Sequence, residues 1–320
     1  MNKLKFIDLF SGIGGFRIAL EQNGAQCVFS SEIDPYAAKT YFDNFNEMPS
    51  GDITKIETSK IPDHNILCAG FPCQPFSLAG KRLGFEDTRG TLFFDVARII
   101  EAKKPEAVIL ENVSGITNHN GGKTLQVIEN TLTDLGYKIT WKLLNSKDFG
   151  VPQNRNRWYC VAIRNDIEVD ISKIFPEKQE LKTTLDKIID WNLKESHEIS
   201  DIALKNIKLH IDKYVGKNNS KIKNEPIIAN NIRPSKVLFS SSGVSPCLTA
   251  KMGTGGNNVP VIYDLKRKLT VKECLALMGF PENFKIKENY SQSYKQLGNS
   301  VVVPVLSMIA QNVIHVLKRK

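Results

Sequence analysis

Two residues are placed to do nucleophilic chemistry. Cys73 lies in a loop segment, FPCQPFS (71–77), in which two prolines follow directly on an apolar run. Glu111 ends a second apolar run and precedes Asn112. A thiolate can add to an electrophilic carbon, and a carboxylic acid buried beside a ligand keeps its proton more readily than one in water. Each residue also has a structural alternative: a loop cysteine is often inert, and a strand-end glutamate can cap the following loop.

A glycine turn near the N-terminus could hold a nucleotide-like ligand. SGIGG (11–15) separates an apolar run from a helical pattern, and glycine permits close approach of a ligand to main-chain N–H groups. The spacing differs from the GxGxxG fingerprint, so an NAD-dependent oxidoreductase is not favoured. Glu32 ends the next apolar run, where a carboxylate could accept hydrogen bonds from a ribose or simply be solvated. Asp52, after Gly51, could meet an adenine amino group.

Two arginines precede another apolar run, in the segment QNRNR (153–157). Strand alternation would point Arg155 and Arg157 the same way, and two guanidinium groups on one side suit a phosphate or a base carbonyl. A solvated pair is the alternative.

The elements that must position these residues alternate along the first half of the chain. Apolar runs predict strands at 4–10, 26–32, 66–70, 107–111, 138–144 and 157–163, and periodic patterns predict helices at 16–22, 34–45, 91–103 and 123–135. This alternation is typical of an α/β fold with a Rossmann-like, mostly parallel sheet covered on both faces. Ligands bind at the carboxyl edge of such a sheet, so Cys73, Glu111 and the glycine turn should meet there.

The pattern changes after about residue 172. Lysine- and asparagine-rich stretches and the runs SSSG (240–243) and GTGGNN (253–258) predict a second, smaller and loop-rich domain. Thr270 and Glu273 form a capping box that opens a short helix ending at Gly279. A last amphipathic helix, 304–317, should return to the first domain.

Composition narrows the class of protein. The 320 residues are 41% apolar and 24% charged, which excludes disordered and collagen-like chains. No apolar run approaches a membrane span and no secretory signal is visible, so we expect a cytoplasmic protein. Six cysteines without a CxxC pair and five histidines without ligand spacing predict reduced, mostly buried thiols and no metal. Cys68 and Cys160, inside strands, should be inert core residues.

The positive charge is concentrated in one segment. The net charge is +9, and residues 202–270 carry twelve Lys and Arg against three acidic residues. The whole excess therefore lies in that segment, which indicates a polyanionic partner or a solvated lysine-rich surface.

Seven segments in order carry a family resemblance: FIDLFSGIGGF, DPYAA, GFPCQPFS, GTLFF, ENV, PQNRNRW and QLGNSVVVPV. Together they resemble the motifs of bacterial cytosine-5 DNA methyltransferases of the small restriction-modification type, over about 1–165 and 265–320. The resemblance implies the fold of S-adenosylmethionine (SAM)-dependent methyltransferases. It also implies a catalytic and cofactor-binding domain (1–175 and 285–320), a target-recognition domain (176–270) and a hinge region (271–284). CLTA (247–250) is similar to a short motif of such recognition domains.

The resemblance also implies roles for single residues. A thiolate at Cys73 would add to carbon 6 of a cytosine rotated out of duplex DNA, with Glu111 hydrogen-bonded to ring nitrogen 3. The catalytic set it implies is Cys73, Glu111, Arg155, Arg157, Asn112 and Gln74. The set for SAM, whose product is S-adenosylhomocysteine, is Phe10, Ser11, Gly12, Ile13, Gly14, Glu32, Ile33, Asp52, Ile53, Pro72, Leu92, Asn299, Ser300 and Val301. Ile33 departs from relatives with an aromatic residue there, and Ala79 from relatives with a serine near the target phosphate.

Two further activities compete with sequence-specific DNA methylation. A related tRNA cytosine-5 methyltransferase would share the catalytic motifs, and a catalytically silent DNA-binding protein would keep the fold. The long basic segment favours double-stranded DNA. We expect a monomer associated with the nucleoid, and a cognate restriction endonuclease that acts on the same sequence without being a bound subunit.

Overall fold

The computed structural model describes residues 3–72, 92–193, 198–218, 225–254 and 258–319. The chain divides into two compact units. The first holds Met1–Leu144, Asn156–Glu177 and Val303–Lys320, and the second holds Asn145–Arg155 and Lys178–Val302. Residues 145–155 and 271–302 therefore group with the second unit, whereas the sequence suggested boundaries at 175, 270 and 284.

A six-stranded sheet forms the centre of the first unit. Its strands are β1 (Lys5–Leu9), β2 (Gln26–Ser31), β3 (Ile66–Ala69), β4 (Ala107–Val113), β5 (Tyr137–Asn145) and β6 (Asn156–Arg164), in the order β2-β1-β3-β4-β6-β5. β1 is parallel to β2 and β3, β3 is parallel to β4, and β6 is antiparallel to β4. The predicted mostly parallel sheet is confirmed, with one reversal at β6.

Four helices connect these strands: α1 (Gly15–Glu21), α2 (Pro35–Phe45), α3 (Leu92–Lys103) and α4 (Lys123–Asp134). Asp34 caps α2 by accepting the N–H groups of Tyr36 and Ala37, with Pro35 in the first turn, as the sequence predicted. Apolar side chains of β1, β3 and β4 pack with those of α3 and α4 in one core. That core fixes the ends of three parallel strands relative to one another.

The second unit is more regular than its loop-rich prediction. It contains α5 (Asp201–Asn218) and an antiparallel sheet of β7 (Ile228–Arg233), β8 (Lys236–Ser240), β9 (Val261–Ile262) and β10 (Arg267–Lys268), in the order β10-β9-β7-β8. Ala203, Ile207 and Ile211 recur every fourth residue of α5 and pack against this sheet. Lysines elsewhere on α5 hid that spacing in the sequence. The unit also contains α6 (Val271–Met278), opened by the predicted capping box, and α7 (Tyr290–Asn299).

The last helix, α8 (Val303–Lys318), belongs to the first unit, in agreement with its amphipathic pattern. Asn23 donates to the Ser307 carbonyl at 3.1 Å, and Asn312 donates to the Ile174 carbonyl at 3.0 Å. By length and composition alone, Tyr290–Lys318 is apolar enough to cross a membrane, contrary to our expectation from the sequence. The apolar face of α8 is buried, however, as in a core helix.

Candidate active site

The glycine turn after β1 has the conformation that its residues predict. Gly12 and Gly14 have φ angles of 55° and 89°, and Phe10 also lies in the left-handed region with φ 56°. A Cβ atom at Gly14 would lie 2.2 Å from the ring of Phe45. The positive φ angle favours glycine at position 14, and any larger residue would also displace the Phe45 ring. The turn presents main-chain groups at the carboxyl end of the first parallel strand.

Glu32 ties this turn to the next element. Its two carboxylate oxygens accept the N–H groups of Gly12 and Asp34, each at 2.7 Å. Burial raises the pKa of Glu32 above the ordinary glutamate range, and the two N–H donors offset part of that shift. The neighbouring Ile33 is 70% exposed, so it offers an apolar surface beside the carboxylate.

A short turn after α2 places Asp52 and Ile53. Asp52 accepts the main-chain N–H of Thr54 at 3.1 Å and its hydroxyl at 2.8 Å, and these bonds hold the pKa of Asp52 below its usual range. Ile53 is buried, and its carbonyl receives an N–H of Arg98 at 2.5 Å. Arg98 also donates to the Ile56 carbonyl at 3.0 Å. Arg98 fixes this turn, a role that no motif in the sequence indicated.

Glu111 and Arg157 form an ion pair between neighbouring strands. Arg157 Nε lies 3.3 Å from Glu111 Oε1, and the side chains are 14% and 11% exposed, respectively. Antiparallel pairing of β4 with β6 places Arg157 opposite Val113, two residues beyond Glu111. The carboxyl end of β4 therefore presents a nearly buried carboxylate held by a cation.

Asn112 anchors the start of the loop that carries Cys73. Its side-chain N–H donates to the Phe71 carbonyl at 2.8 Å, while its Oδ1 accepts the N–H of Val113 at 2.8 Å. Phe71 packs on Phe93 of α3, with ring centroids 5.7 Å apart. The loop therefore leaves the sheet from a fixed point beside β4.

The loop itself is only partly described. Pro72 is exposed and Leu92, at the start of α3, is half-buried. Cys73, Gln74 and Ala79 lie outside the described residues, so their predicted roles stay predictions.

Arg155 lies in the second unit and is almost fully buried. It donates to the carbonyls of Leu248 and Ser300, both at 2.5 Å, and of Gly298 at 3.2 Å. β6 begins at Asn156, so the alternation that suggested a common direction for Arg155 and Arg157 does not extend to Arg155. Of the predicted cofactor residues near these contacts, Asn299 is exposed while Ser300 and Val301 are buried.

Asp8 is a buried acid that the sequence reasoning missed. It lies in β1, and no hydrogen bond of normal geometry reaches either of its carboxylate oxygens. Burial raises the pKa of Asp8 well above its usual range, and the charge of nearby Arg17 offsets only part of this. Arg17 is itself bound by Tyr41 at 3.1 Å and Glu47 at 2.7 Å. An acidic residue inside an apolar strand run was the available signal.

Two of the described cysteines have the buried positions that the sequence predicted for inert core residues. Cys68 and Cys160 are buried, and burial raises the pKa of each thiol above its ordinary value, as predicted for core residues. Within the described ranges, no group of three His, Cys, Asp or Glu side chains is arranged to hold a metal ion.

An α/β sheet with a glycine turn after its first strand and an acidic residue following its second is typical of an enzyme that binds a nucleotide-like cofactor. The chain belongs to the C-5 cytosine-specific DNA methylase family, whose model matches residues 4–315. It is a DNA (cytosine-5-)-methyltransferase, and the family implies SAM as the methyl donor.

Several characterised proteins are similar over almost the whole chain. The type II methyltransferase M.HhaI of Haemophilus parahaemolyticus is 42% identical, over 97% of this chain and 94% of that protein. M.MspI of Moraxella sp is 45% identical, over 98% of this chain and 71% of that protein. Among solved structures, Dnmt2 methyltransferase of S. pombe has a TM-score of 0.72 at 22% identity, with 99% of each chain covered. At that identity the likeness shows the fold alone.

Proposed function

We propose that this chain is the modification enzyme of a type II restriction-modification system. It methylates carbon 5 of one cytosine within a short duplex sequence. The names of the relatives, type II methyltransferases matched over nearly the full chain, support this reading. A cognate endonuclease would cut the same sequence when it is unmethylated. The enzyme acts as a monomer in the cytoplasm, on nucleoid DNA.

The observation that carries the mechanism is the Glu111–Arg157 pair beside the anchored start of the Cys73 loop. Cytosine is not nucleophilic at carbon 5, so the ring must first be activated. The Cys73 thiolate adds to carbon 6, and the Glu111 carboxyl group, carrying a proton, donates it to nitrogen 3 and so stabilises the charge that develops on the ring. Arg157 orients the Glu111 carboxyl group through its contact with Oε1.

The remaining steps restore the aromatic base. SAM, when bound, would supply the methyl group to carbon 5 and would keep the electron pair of the broken S–C bond as S-adenosylhomocysteine. A base then removes the proton from carbon 5, and the C6–S bond breaks to release the Cys73 thiolate. A base stacked in duplex DNA cannot reach the thiol, so the target nucleotide must be rotated out of the helix.

The proposed cofactor site is built around Glu32. Its carboxylate is already fixed by two N–H groups, which leaves lone pairs for the ribose hydroxyls. Exposed Ile33 would pack on the adenine, with Asp52 and Ile53 at its edge. The resemblance adds Phe10, Ser11, Gly12, Ile13, Gly14, Pro72, Leu92, Asn299, Ser300 and Val301. No metal takes part in this scheme.

The proposed DNA-binding segment is 176–270. Within 202–270, the exposed cations that would contact phosphates are Lys205, Lys208, Lys213, Arg233, Lys236, Lys251 and Lys266. Arg267 does not join them, because it is 1% exposed and paired with Glu273 at 2.7 Å. The sequence could not distinguish that buried arginine from its surface neighbours.

Bisulfite sequencing of DNA from cells that express the chain tests this function. Conversion should be blocked at one cytosine of one recurring sequence, and purified enzyme should transfer tritiated methyl groups to duplex DNA but not to tRNA. Cys73→Ser should abolish transfer while DNA binding remains. Cys27→Ser is the matched control, since Cys27 is only 8% exposed and serine can keep its contact with the Phe29 carbonyl. Transfer by Cys73→Ser at the normal rate would exclude the mechanism.

A further inference from the structure

Gln153 occupies the centre of a buried polar cluster in the second unit. Its side chain is fully buried, and the amide group forms hydrogen bonds with two separate segments of the chain. Nε2 donates to the Leu277 carbonyl at the end of α6 at 2.7 Å, and Oε1 accepts the N–H of Leu248 at 3.0 Å. Main-chain bonds support the same junction: Ser245 donates to the Pro152 carbonyl, and Asn154 donates to the Ser245 carbonyl, both at 2.8 Å.

Arg155 also binds Leu248, the residue whose N–H group is bound by Gln153. Gln153 accepts the N–H of Leu248, whereas Arg155 donates to its carbonyl. The other arm of the guanidinium donates to the carbonyls of Gly298 and Ser300. One arginine therefore joins the segment at 248 to the C-terminal end of α7, fifty residues later in the chain. A planar guanidinium suits this task, because its donors lie in a fixed fork.

The two joined segments also pack backbone against backbone. A Cβ at Gly298 would lie 2.0 Å from the carbonyl carbon of Thr249, and one at Gly253 would lie 2.3 Å from the Ser291 carbonyl oxygen. At Gly298 and Gly253 the turn at Ala250–Thr254 therefore lies directly against α7, with main chain close to main chain. This close packing couples residues 247–254 to α7.

We propose that Arg155 is a positioning residue that holds two functional segments as one body, while Gln153 fixes the first of them to the end of α6. The segments are 247–254, in the proposed DNA-binding part, and Gly298–Ser300, which includes the proposed cofactor residues Asn299 and Ser300. The inference rests on the proposed function of both segments. Arg155 acts through main-chain carbonyls and not on the reacting base, so its loss impairs binding of DNA and of SAM together.

The test uses the full-length enzyme and three variants. Arg155→Lys keeps the charge but cannot reach carbonyls on both sides. Gln153→Glu keeps the acceptor for Leu248 and loses the donor to Leu277. Arg164→Lys is the matched control, because Arg164 is an arginine of the first unit that donates to the Lys104 carbonyl and pairs with Asp166. SAM affinity is measured by calorimetry without DNA, followed by KM for duplex, kcat and Tm.

Arg155→Lys should weaken SAM binding and raise the KM for DNA in parallel, each by about tenfold, because the lost bonds lie within the protein and reach the ligands only through the position of the two segments. The kcat at saturation should stay within about threefold of wild type, since the reacting groups are untouched. Gln153→Glu turns a carboxylate oxygen toward the Leu277 carbonyl, and the repulsion should displace residue 153 together with Leu248. Because Arg155 stays in place, Gly298–Ser300 should move with Leu248 and the same paired change should appear, so this variant tests the proposal if Arg155→Lys does not fold. Arg164→Lys should leave both constants unchanged.

Three results would overturn the proposal. A change in only one of the two constants would show that the segments are independent. A lower Tm with both constants unchanged would reduce the cluster to a stability role. Collapse of kcat with both constants unchanged would place Arg155 at the reacting base. Failure of the proposed function is distinguishable, because the wild-type enzyme itself would then transfer no methyl group to DNA.

Discussion

Glu32→Gln isolates the carboxylate that joins the glycine turn to α2. Gln has nearly the same shape but only one acceptor oxygen, so it can keep one of the two 2.7 Å bonds from Gly12 and Asp34. Its NH₂ group must then face the other N–H. The variant would therefore lose one of the two hydrogen bonds that join the glycine turn to α2, while the rest of the turn stays in place.

The expected cost follows from the bond that is lost. A hydrogen bond to a charged group contributes about 1.5–3 kcal/mol, so loss of one should weaken SAM binding by about thirtyfold. Calorimetric titration of the DNA-free enzyme measures this directly. Because burial raises the pKa of Glu32, the wild type should also lose SAM affinity on acidification at a higher pH than an ordinary glutamate would. Glu32→Gln should lack that step.

Glu57→Gln is the control, since Glu57 is an exposed glutamate in a turn of the same unit. It should bind SAM as the wild type does. If Glu32→Gln also binds SAM within twofold of wild type, these two hydrogen bonds do not organise the cofactor site and the reasoning fails.

Three other substitutions test packing and buried charge. Asp8→Asn should raise Tm, and the gain should grow from about pH 4 upward, because a raised pKa makes the wild type lose stability as pH rises through that range. Arg267→Ala should lower the free energy of unfolding by about 3–5 kcal/mol, since it leaves Glu273 buried without its partner, and denaturant titration measures this. Gly298→Ala should lower Tm, because its Cβ would lie 2.0 Å from Thr249.

Each of these has a contradicting result and a control. Asp8→Asn with a pH-independent Tm difference would mean that Asp8 does not titrate as a buried acid. Replacing both partners, Arg267→Met with Glu273→Gln, removes both buried charges and keeps an acceptor for the Thr270 or Asp190 N–H group, so it should recover much of the stability lost in Arg267→Ala; no recovery would show that the loss has another cause. Gly115→Ala, with nothing within 4 Å of its Cβ, should leave Tm nearly unchanged, so equal effects at both glycines would refute the packing argument.

The pH dependence of stability provides a further test of the ion pair between Arg267 and Glu273. Burial raises its pKa, but hydrogen bonds from Arg267, Thr270 and Asp190 outweigh that effect and lower it overall. Stability from a lowered carboxyl pKa is present above its unfolded value and is lost as pH falls through the folded value. The wild type should therefore lose more stability on acidification than the uncharged double variant does.

The first unit could be predicted closely because its signals are local. Apolar strand runs, the cap at Asp34 and the glycine turn each depend on a few adjacent residues, and the structure confirms them. Burial also follows from strand position, as at Cys68 and Cys160. Such features need no knowledge of the distant chain.

The rest depended on contacts between distant residues. Arg155 matched a catalytic motif, but its guanidinium is held by carbonyls at 248, 298 and 300, which no spacing near residue 155 encodes. From the sequence alone Arg267 resembles a surface cation, but in the structure it is buried and paired with Glu273. The fixing of Asp52 and Ile53 by Arg98 likewise joins residues more than forty positions apart. Tertiary partners decide the role of a polar residue.

The central claim is that Cys73 attacks the target cytosine before the methyl group is transferred. A duplex that carries 5-fluorocytosine at the mapped position tests it most directly, because fluorine replaces the proton that must leave carbon 5. With SAM present, we expect a methylated DNA adduct that survives denaturation, and mass spectrometry of the digested protein should place it on Cys73. Stoichiometric methylation of the same duplex with no covalent adduct, or an adduct on another residue, would show that Cys73 does not attack the base.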